Sequence, residues 1–259
     1  MITAGVDIGA STSKVVISKE GQILSYSIIG TGAESANSAQ RAMAAALKGI
    51  DHLSLGDIEY IIATGYGRVI APFANETVTE LSCHAKGANW LFPSVRTILD
   101  MGGQDCKAIR CDEMGRLTNF AMNDKCAAGT GRFLELMAMV MDLPLEGLGK
   151  LSLEAKEEVT INSTCAVFAE SEVISHIHRG VAKEEILAGL HYAIADRILE
   201  LISQVGIRQE VVVTGGIAKN VAIVAELERK LGMSLLLPRE PQIVGALGAA
   251  LLAPESPPV

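Results

Sequence analysis

Val6-Asp7-Ile8-Gly9, with Lys14 five residues further on, returns 93 positions later as Leu99-Asp100-Met101-Gly102, again followed by a lysine, Lys107. In each copy an aliphatic run ends on an aspartate, a glycine turn follows, and strand-like sequence resumes after it. Asp matches Asp, Gly matches Gly and Lys matches Lys at one constant offset. A chain that repeats strand, Asp-x-Gly, strand is expected to fold as two similar α/β halves facing each other.

Outward from these two copies, alternating and β-branched runs predict strands over residues 2–9, 15–18 and 22–29, a meander. An Ala-rich stretch with Met43 and Leu47 four apart predicts a helix over 34–49. A buried strand over 59–64 is closed by Gly65-Tyr66-Gly67, and a helix over 79–91 is ended by Pro93. After the second copy, strands are expected over 108–111 and 117–122. A helix follows over 131–142, then a polar connection through Lys150 and a short strand over 159–162. Helices over 166–179 and 183–205 lead to a strand over 210–214, a helix over 218–231, a late strand over 233–237 and a closing helix over 244–252. The halves divide as 1–93 and 94–259, with the last helix packing back on the first half.

The chain has 259 residues, enough to bury a substantial core. With 49% hydrophobic and 20% charged residues, disorder is expected only at the Pro-rich end, 254–259. A net charge of −8 and a pI near 5.2 argue against a nucleic-acid surface. Mean hydropathy is positive, yet apolar stretches such as 243–253 stop short of the roughly 20 residues a bilayer requires. No basic leader follows Met1, so the expectation is a soluble, cytoplasmic protein with no membrane partner. Five cysteines, an odd number in a core-rich chain, point to thiols or metal ligation rather than a disulfide framework.

Asp7 and Asp100 each precede a turn containing glycine (Gly9; Gly102 and Gly103), where backbone N–H groups can approach phosphate closely. A carboxylate beside each turn can hold Mg²⁺, directly or through water. Two copies in register, each with its lysine, read as a two-sided phosphate clamp, with Ser11, Thr12 and Lys14 in the first loop. Gly215-Gly216, between a strand and a helix, suits an adenosine packed on bare backbone. Neither a P-loop nor a Gly-x-Gly-x-x-Gly turn after a strand is present. Gly129-Thr130-Gly131, at a helix start, offers either a phosphate site or an ordinary N-cap turn.

Cys126 stands just ahead of that turn, in Asn123-Asp124-Lys125-Cys126-Ala127-Ala128, and Cys165 in Ser163-Thr164-Cys165-Ala166-Val167-Phe168. An isolated cysteine is ordinarily a small buried apolar residue, and two cannot complete a four-thiolate site within one chain. Placed at helix N-termini in a twofold dimer, they would gather four thiolates and four positive helix ends, an arrangement suited to an anionic 4Fe-4S cluster. Cys83, Cys106 and Cys111 read as core or surface thiols. His176 and His178, two apart on a helix, do not share a face.

Together these residues resemble the activator ATPases of 2-hydroxyacyl-CoA dehydratases (component A, or archerases), in the BadF/BadG/BcrA/BcrD-type ATPase family that includes ATPase subunits of benzoyl-CoA reductase. The stretches that carry the resemblance include Ala63-Thr64-Gly65-Tyr66-Gly67-Arg68, Glu80-Leu81-Ser82-Cys83-His84-Ala85, Asp100-Met101-Gly102-Gly103-Gln104-Asp105 and the two cysteine segments. The resemblance implies an actin/hexokinase-like (ribonuclease H-like) fold and a homodimer bridged by one 4Fe-4S cluster on Cys126 and Cys165 of each copy. It implies Mg-ATP held by the Asp7 and Asp100 loops and the Gly215-Gly216 turn. It implies electron transfer from reduced ferredoxin or flavodoxin to a dehydratase (component D). One departure stands out. Relatives carry Asp-x-Gly-Ser-Thr where this chain has Asp7-Ile8-Gly9-Ala10-Ser11-Thr12, so the hydroxyls are displaced by one position while backbone N–H contacts are less affected.

In a clamp of this kind Asp7 and Asp100 position Mg²⁺, and Gln104 is the candidate for orienting the attacking water. Two other readings fit the nucleotide motifs: a small-molecule kinase of the same fold with Asp105 as base, and a nucleotide-regulated scaffold whose cysteines hold Zn²⁺.

Overall fold

The computed structural model describes residues 1–32, 35–162 and 165–253. Two mixed sheets carry the repeat. β1 (Ile2–Ile8), β2 (Thr12–Lys19) and β3 (Gln22–Gly30) form the expected antiparallel meander. β4 (Tyr60–Thr64) adds in parallel to β1, and a two-residue edge strand, β5 (Glu76–Thr77), completes the order β3-β2-β1-β4-β5. In the second sheet β6 (Thr97–Met101), β7 (Cys106–Cys111) and β8 (Leu117–Asn123) repeat the meander, and β9 (Val211–Thr214) adds in parallel to β6, giving β8-β7-β6-β9. β1 and β6 are buried along almost their whole length, which explains why they read as continuous apolar runs rather than alternating ones.

α1 (Ser35–Leu47) lays Ala39, Ala42, Met43 and Ala46 on the first sheet; its expected start at Glu34 lies outside the described residues. α2 (Glu80–Leu91) is capped by Thr79, whose hydroxyl accepts from the Ser82 N–H. α3 (Gly131–Val140), α4 (Leu148–Ser152), α5 (Ala166–His178), α6 (Lys183–Val205) and α7 (Val221–Leu231) build the largest core against the second sheet. α8 (Val244–Leu252) comes last in the chain but packs on β1, β2 and β4 and crosses α2. The crossing is so close that a Cβ at Gly248 would lie 1.7 Å from the Cys83 carbonyl oxygen.

Several expected elements differ. Residues 159–162 form no strand; Val159 runs against α6, where its carbonyl meets Gly189, and has no strand edge to join. Residues 233–237 reach the second sheet through a single bridge, Leu236 to Val212. The helix expected over 218–231 is broken. A 3-10 turn, Ile217–Lys219, comes first, and Asn220 then starts α7 by accepting from the N–H groups of Ala222 and Ile223. The polar connection before residue 150 contains α4. Residues 163, 164 and 254–259, which include the expected disordered tail, lie outside the described residues. Among the described residues no helix is long and apolar enough to cross a membrane.

Candidate functional site

Strand register brings the repeated charges together. β1 and β2 set Asp7 opposite Lys14; β6 and β7 set Asp100 opposite Lys107. Lys14 Nζ lies 3.0 Å from Asp7 Oδ2, and Lys107 Nζ 3.5 Å from Asp100 Oδ2. All four line a cleft of about 620 Å³ between the two sheets, a volume that suits a small-molecule ligand.

The halves are alike but not equal. The Lys107 side chain is 1% exposed and also meets Asp105 Oδ1 at 2.6 Å and Glu80 Oε1 at 3.3 Å. Burial works against its charge, but Asp100, Glu80 and Asp105 outweigh burial and hold the ammonium protonated well above the usual lysine range. For Asp100 burial again opposes charge, and His84, Lys107 and the Thr214 hydroxyl overcome it, so the carboxyl sits below its ordinary range. Glu80 is pushed up, mainly by burial. Lys107 is therefore neutralised by several carboxylates rather than held ready for phosphate, whereas Lys14 makes its ion pair with Asp7 and acts on Asp100 only at longer range.

The turns repeat as well. The Gly9 N–H closes on the Thr12 carbonyl at 3.0 Å, and the Gly102 N–H on the Asp105 carbonyl at 2.9 Å. Among the described residues, the N–H groups of Ala10, Ser11, Gly103 and Gln104 have no protein acceptor. All four residues line the cleft, so each half presents a neighbouring pair of unpaired N–H groups there, of the kind that can take an anion. Ser11 Oγ is buried without a partner, at the place where the loops meet: a Cβ on Gly103 would lie 2.3 Å from it. Thr12 begins β2, also on the cleft wall.

The parallel strands end alike. Gly65 after β4 and Gly215 after β9 both have positive φ, +86° and +84°, and each leaves room for the neighbouring aspartate. Gly215 and Gly216 line the cleft, Gly215 directly beside Asp100, and Gln104 and Gly103 also lie on the cleft surface.

In Gly129-Thr130-Gly131 two of the three N–H groups are already paired within the protein, as is that of Arg132. The Gly131 N–H donates to the Gly102 carbonyl at 3.0 Å, Arg132 N–H to Gly103 at 2.7 Å and Thr130 N–H to Ala127 at 3.0 Å. Thr130 is buried, with its hydroxyl donating to the Ala127 carbonyl, and the Gly129 carbonyl accepts from Cys106. Of the three, only Gly131 reaches the cleft. What the segment does is tie the start of α3 to the Gly102-Gly103 turn after β6.

The five cysteines separate by environment. Cys83, Cys106 and Cys111 are buried, and burial pushes their thiols up to about 12, 12 and 11. Cys126 and Cys165 are half-exposed. Cys126 is held by Asn123, which donates to its carbonyl at 3.0 Å and accepts from its N–H at 3.3 Å, and Arg197 Nη2 lies 3.6 Å from its sulfur. Cys165 is the N-cap of α5. Cys126 is not at a helix N-terminus: it precedes Gly131 by five residues. A guanidinium at one sulfur and a helix N-terminus at the other suit an anionic metal cluster, and two cysteines form half of a four-thiolate set. Among the described residues no group of three or more His, Cys, Asp or Glu forms a metal site within the chain, and His176 and His178 take no part in one.

Glu80 and His84 line the cleft and Thr214 lies behind it, bonded to Asp100, although none of the three was given a role in the site from the sequence. A signal existed: Glu80 and His84 are four apart at a helix start, hence on one face.

A model of the BadF/BadG/BcrA/BcrD ATPase family matches residues 4–253. The 2-hydroxyisocaproyl-CoA dehydratase activator of Clostridioides difficile is 44% identical over 98% of this chain and 95% of its own. The crystal structure of component A of (R)-2-hydroxyglutaryl-CoA dehydratase from Acidaminococcus fermentans is 42% identical, covers 98% of both chains and superposes with a TM-score of 0.94. That of the Clostridium difficile 2-hydroxyisocaproyl-CoA dehydratase activator with bound ADPNP is 42% identical, covers 100% and 99%, and has a TM-score of 0.92. The molecule has the actin/hexokinase-like, duplicated α/β fold.

Proposed function

The chain belongs to the BadF/BadG/BcrA/BcrD ATPase family, and we propose from that premise that it is an ATP-driven activator of a 2-hydroxyacyl-CoA dehydratase or a related low-potential reductase. Its similarity to activators of such dehydratases supports the partner class. Phosphates rest against the free N–H groups of the two turns, and Asp7 and Asp100 are the residues that would hold Mg²⁺. Adenosine lies on Gly215-Gly216. Gln104 orients the attacking water without being basic enough to deprotonate it fully, which makes for a slow, switch-like ATPase.

Cys126 and Cys165 of two copies hold a 4Fe-4S cluster on the axis of a homodimer. A cluster held by these thiolates would supply low-potential one-electron chemistry, with reduced ferredoxin or flavodoxin as the donor and the dehydratase as the acceptor.

One observation carries the coupling. The loop that cradles phosphate, Gly102-Gly103, accepts hydrogen bonds from Gly131 and Arg132, at the end of the segment that begins with Cys126. A shift of that loop on hydrolysis is therefore passed to the cysteine segment through direct backbone bonds.

Strictly anoxic purification tests the reading. A brown dimer with about four irons per two chains, losing its iron in Cys126→Ser and Cys165→Ser but keeping ADP affinity, is the expected result. Iron retained in either variant, a colourless protein that phosphorylates small molecules, or stoichiometric zinc would overturn it.

A further inference from the structure

We propose that His84 is the positioning residue for Asp100, and through Asp100 for the divalent cation that accompanies the nucleotide; this rests on the role given to Asp100 above. His84 is 5% exposed, on the second turn of α2, and opens onto the cleft floor. The Thr214 hydroxyl donates to Asp100 Oδ1 at 3.0 Å and lies 3.2 Å from His84 Nδ1. A hydroxyl has one hydrogen. With that hydrogen on Asp100, the imidazole must be the donor to Thr214. The result is a one-way chain, from His84 to Thr214 to Asp100, that fixes one carboxylate oxygen. The other oxygen faces Lys107 Nζ and His84 Nε2, both at 3.5 Å.

Three elements thus hold this carboxylate: α2 through His84, β7 through Lys107 and β9 through Thr214. The same imidazole borders the first half. A Cβ on Gly245 of α8 would lie 2.8 Å from His84 Nε2 and 3.3 Å from Asp7 Oδ2, so one ring stands beside both aspartates. Glu80, one turn earlier on α2, meets Lys107. A single helix therefore grips the Asp100 site twice while lying against the helix that covers Asp7. Outer partners of this sort set the direction in which a carboxylate offers its lone pairs, and losing one typically weakens cation binding about 10–100-fold.

The test is calorimetric titration with ADP, with and without Mg²⁺, on wild type, His84→Ala, His84→Asn, Thr214→Val and the Ala/Val double variant. His84→Ala and Thr214→Val are each expected to weaken Mg-ADP binding about tenfold or more and to leave metal-free ADP within about twofold. The double variant should lose clearly less than the sum of the two single losses, because both interrupt the same chain. His84→Asn, whose amide can reach the place of Nδ1, should recover most of the loss. Mg-ADP affinity unchanged in His84→Ala, an equal loss of metal-free ADP, or additive losses in the double variant would each overturn the inference. Should His84→Ala fail to fold, Thr214→Val alone carries the same comparison. Wild type binding ADP equally with and without Mg²⁺ would instead remove the role of Asp100 itself.

Discussion

Gly65 and Gly215 occupy equivalent places in the two halves. Each follows the strand parallel to an Asp-bearing strand, each has φ near +85°, and a Cβ would lie 2.4 Å from Asp7 Oδ1 at one and 2.9 Å from Asp100 Oδ1 at the other. The duplication thus extends beyond Asp and Lys to the glycine that makes room for each carboxylate.

Gly215→Ala is expected to destabilise the fold by at least about 1–2 kcal/mol from left-handed backbone alone. The displaced Asp100 adds a loss of nucleotide affinity. Urea unfolding and ADP titration measure the two effects; an Ala variant equal to wild type in both would contradict the equivalence.

Lys107→Met leaves Asp100, Glu80 and Asp105 facing one another in a buried site. Removing one partner of a buried charge cluster costs about 3–5 kcal/mol, and a drop of that order in unfolding free energy is expected. Adding Glu80→Gln should recover part of it.

His191 is 2% exposed, and burial drives its imidazole down to about 4, with Glu226 opposing weakly. The neutral ring accepts from Asn220 Nδ2 at 3.0 Å. Between pH 6.5 and 4 the unfolded chain binds a proton here that the folded chain does not. Stability from this residue is complete above pH 6.5 and lost as pH falls toward 4, by up to about 3 kcal/mol. His191→Gln, which can still accept from Asn220, should flatten that part of the curve of unfolding free energy against pH. Asp100, held low, loses its contribution only under more acid conditions.

Gly103 touches Ser11 across the cleft, where a Cβ would lie 2.3 Å from Ser11 Oγ and 2.9 Å from Ser11 Cβ. Gly103→Ala is expected to hold the loops apart and cut ATP turnover about tenfold or more, since small misplacements of reacting groups are costly. Combining it with Ser11→Gly removes the obstruction and should restore turnover; a steady-state ATPase assay decides between the outcomes.

The sequence by itself determined the two-fold plan of the chain. Strand, Asp-x-Gly, strand is a local pattern: β-branched runs, a turn glycine and a lysine placed by hairpin register all lie within about ten residues, and each copy shows them without help from the rest. Most helices were legible for the same reason, because their periodicity and caps are near-neighbour properties. Tertiary structure alone decided which of those groups are free to act. Gly131 lost its N–H to Gly102, Lys107 gained three carboxylates, residues 159–162 ran against α6 rather than along a sheet, and residues 233–237 met the edge strand β9 at a single bridge only. Thr214 lies more than a hundred residues from both His84 and Asp100 along the chain yet shares a hydrogen bond with each. Nothing in the residues around any one of them indicates the other two; only the crossing of α2 beneath the second sheet brings them into reach.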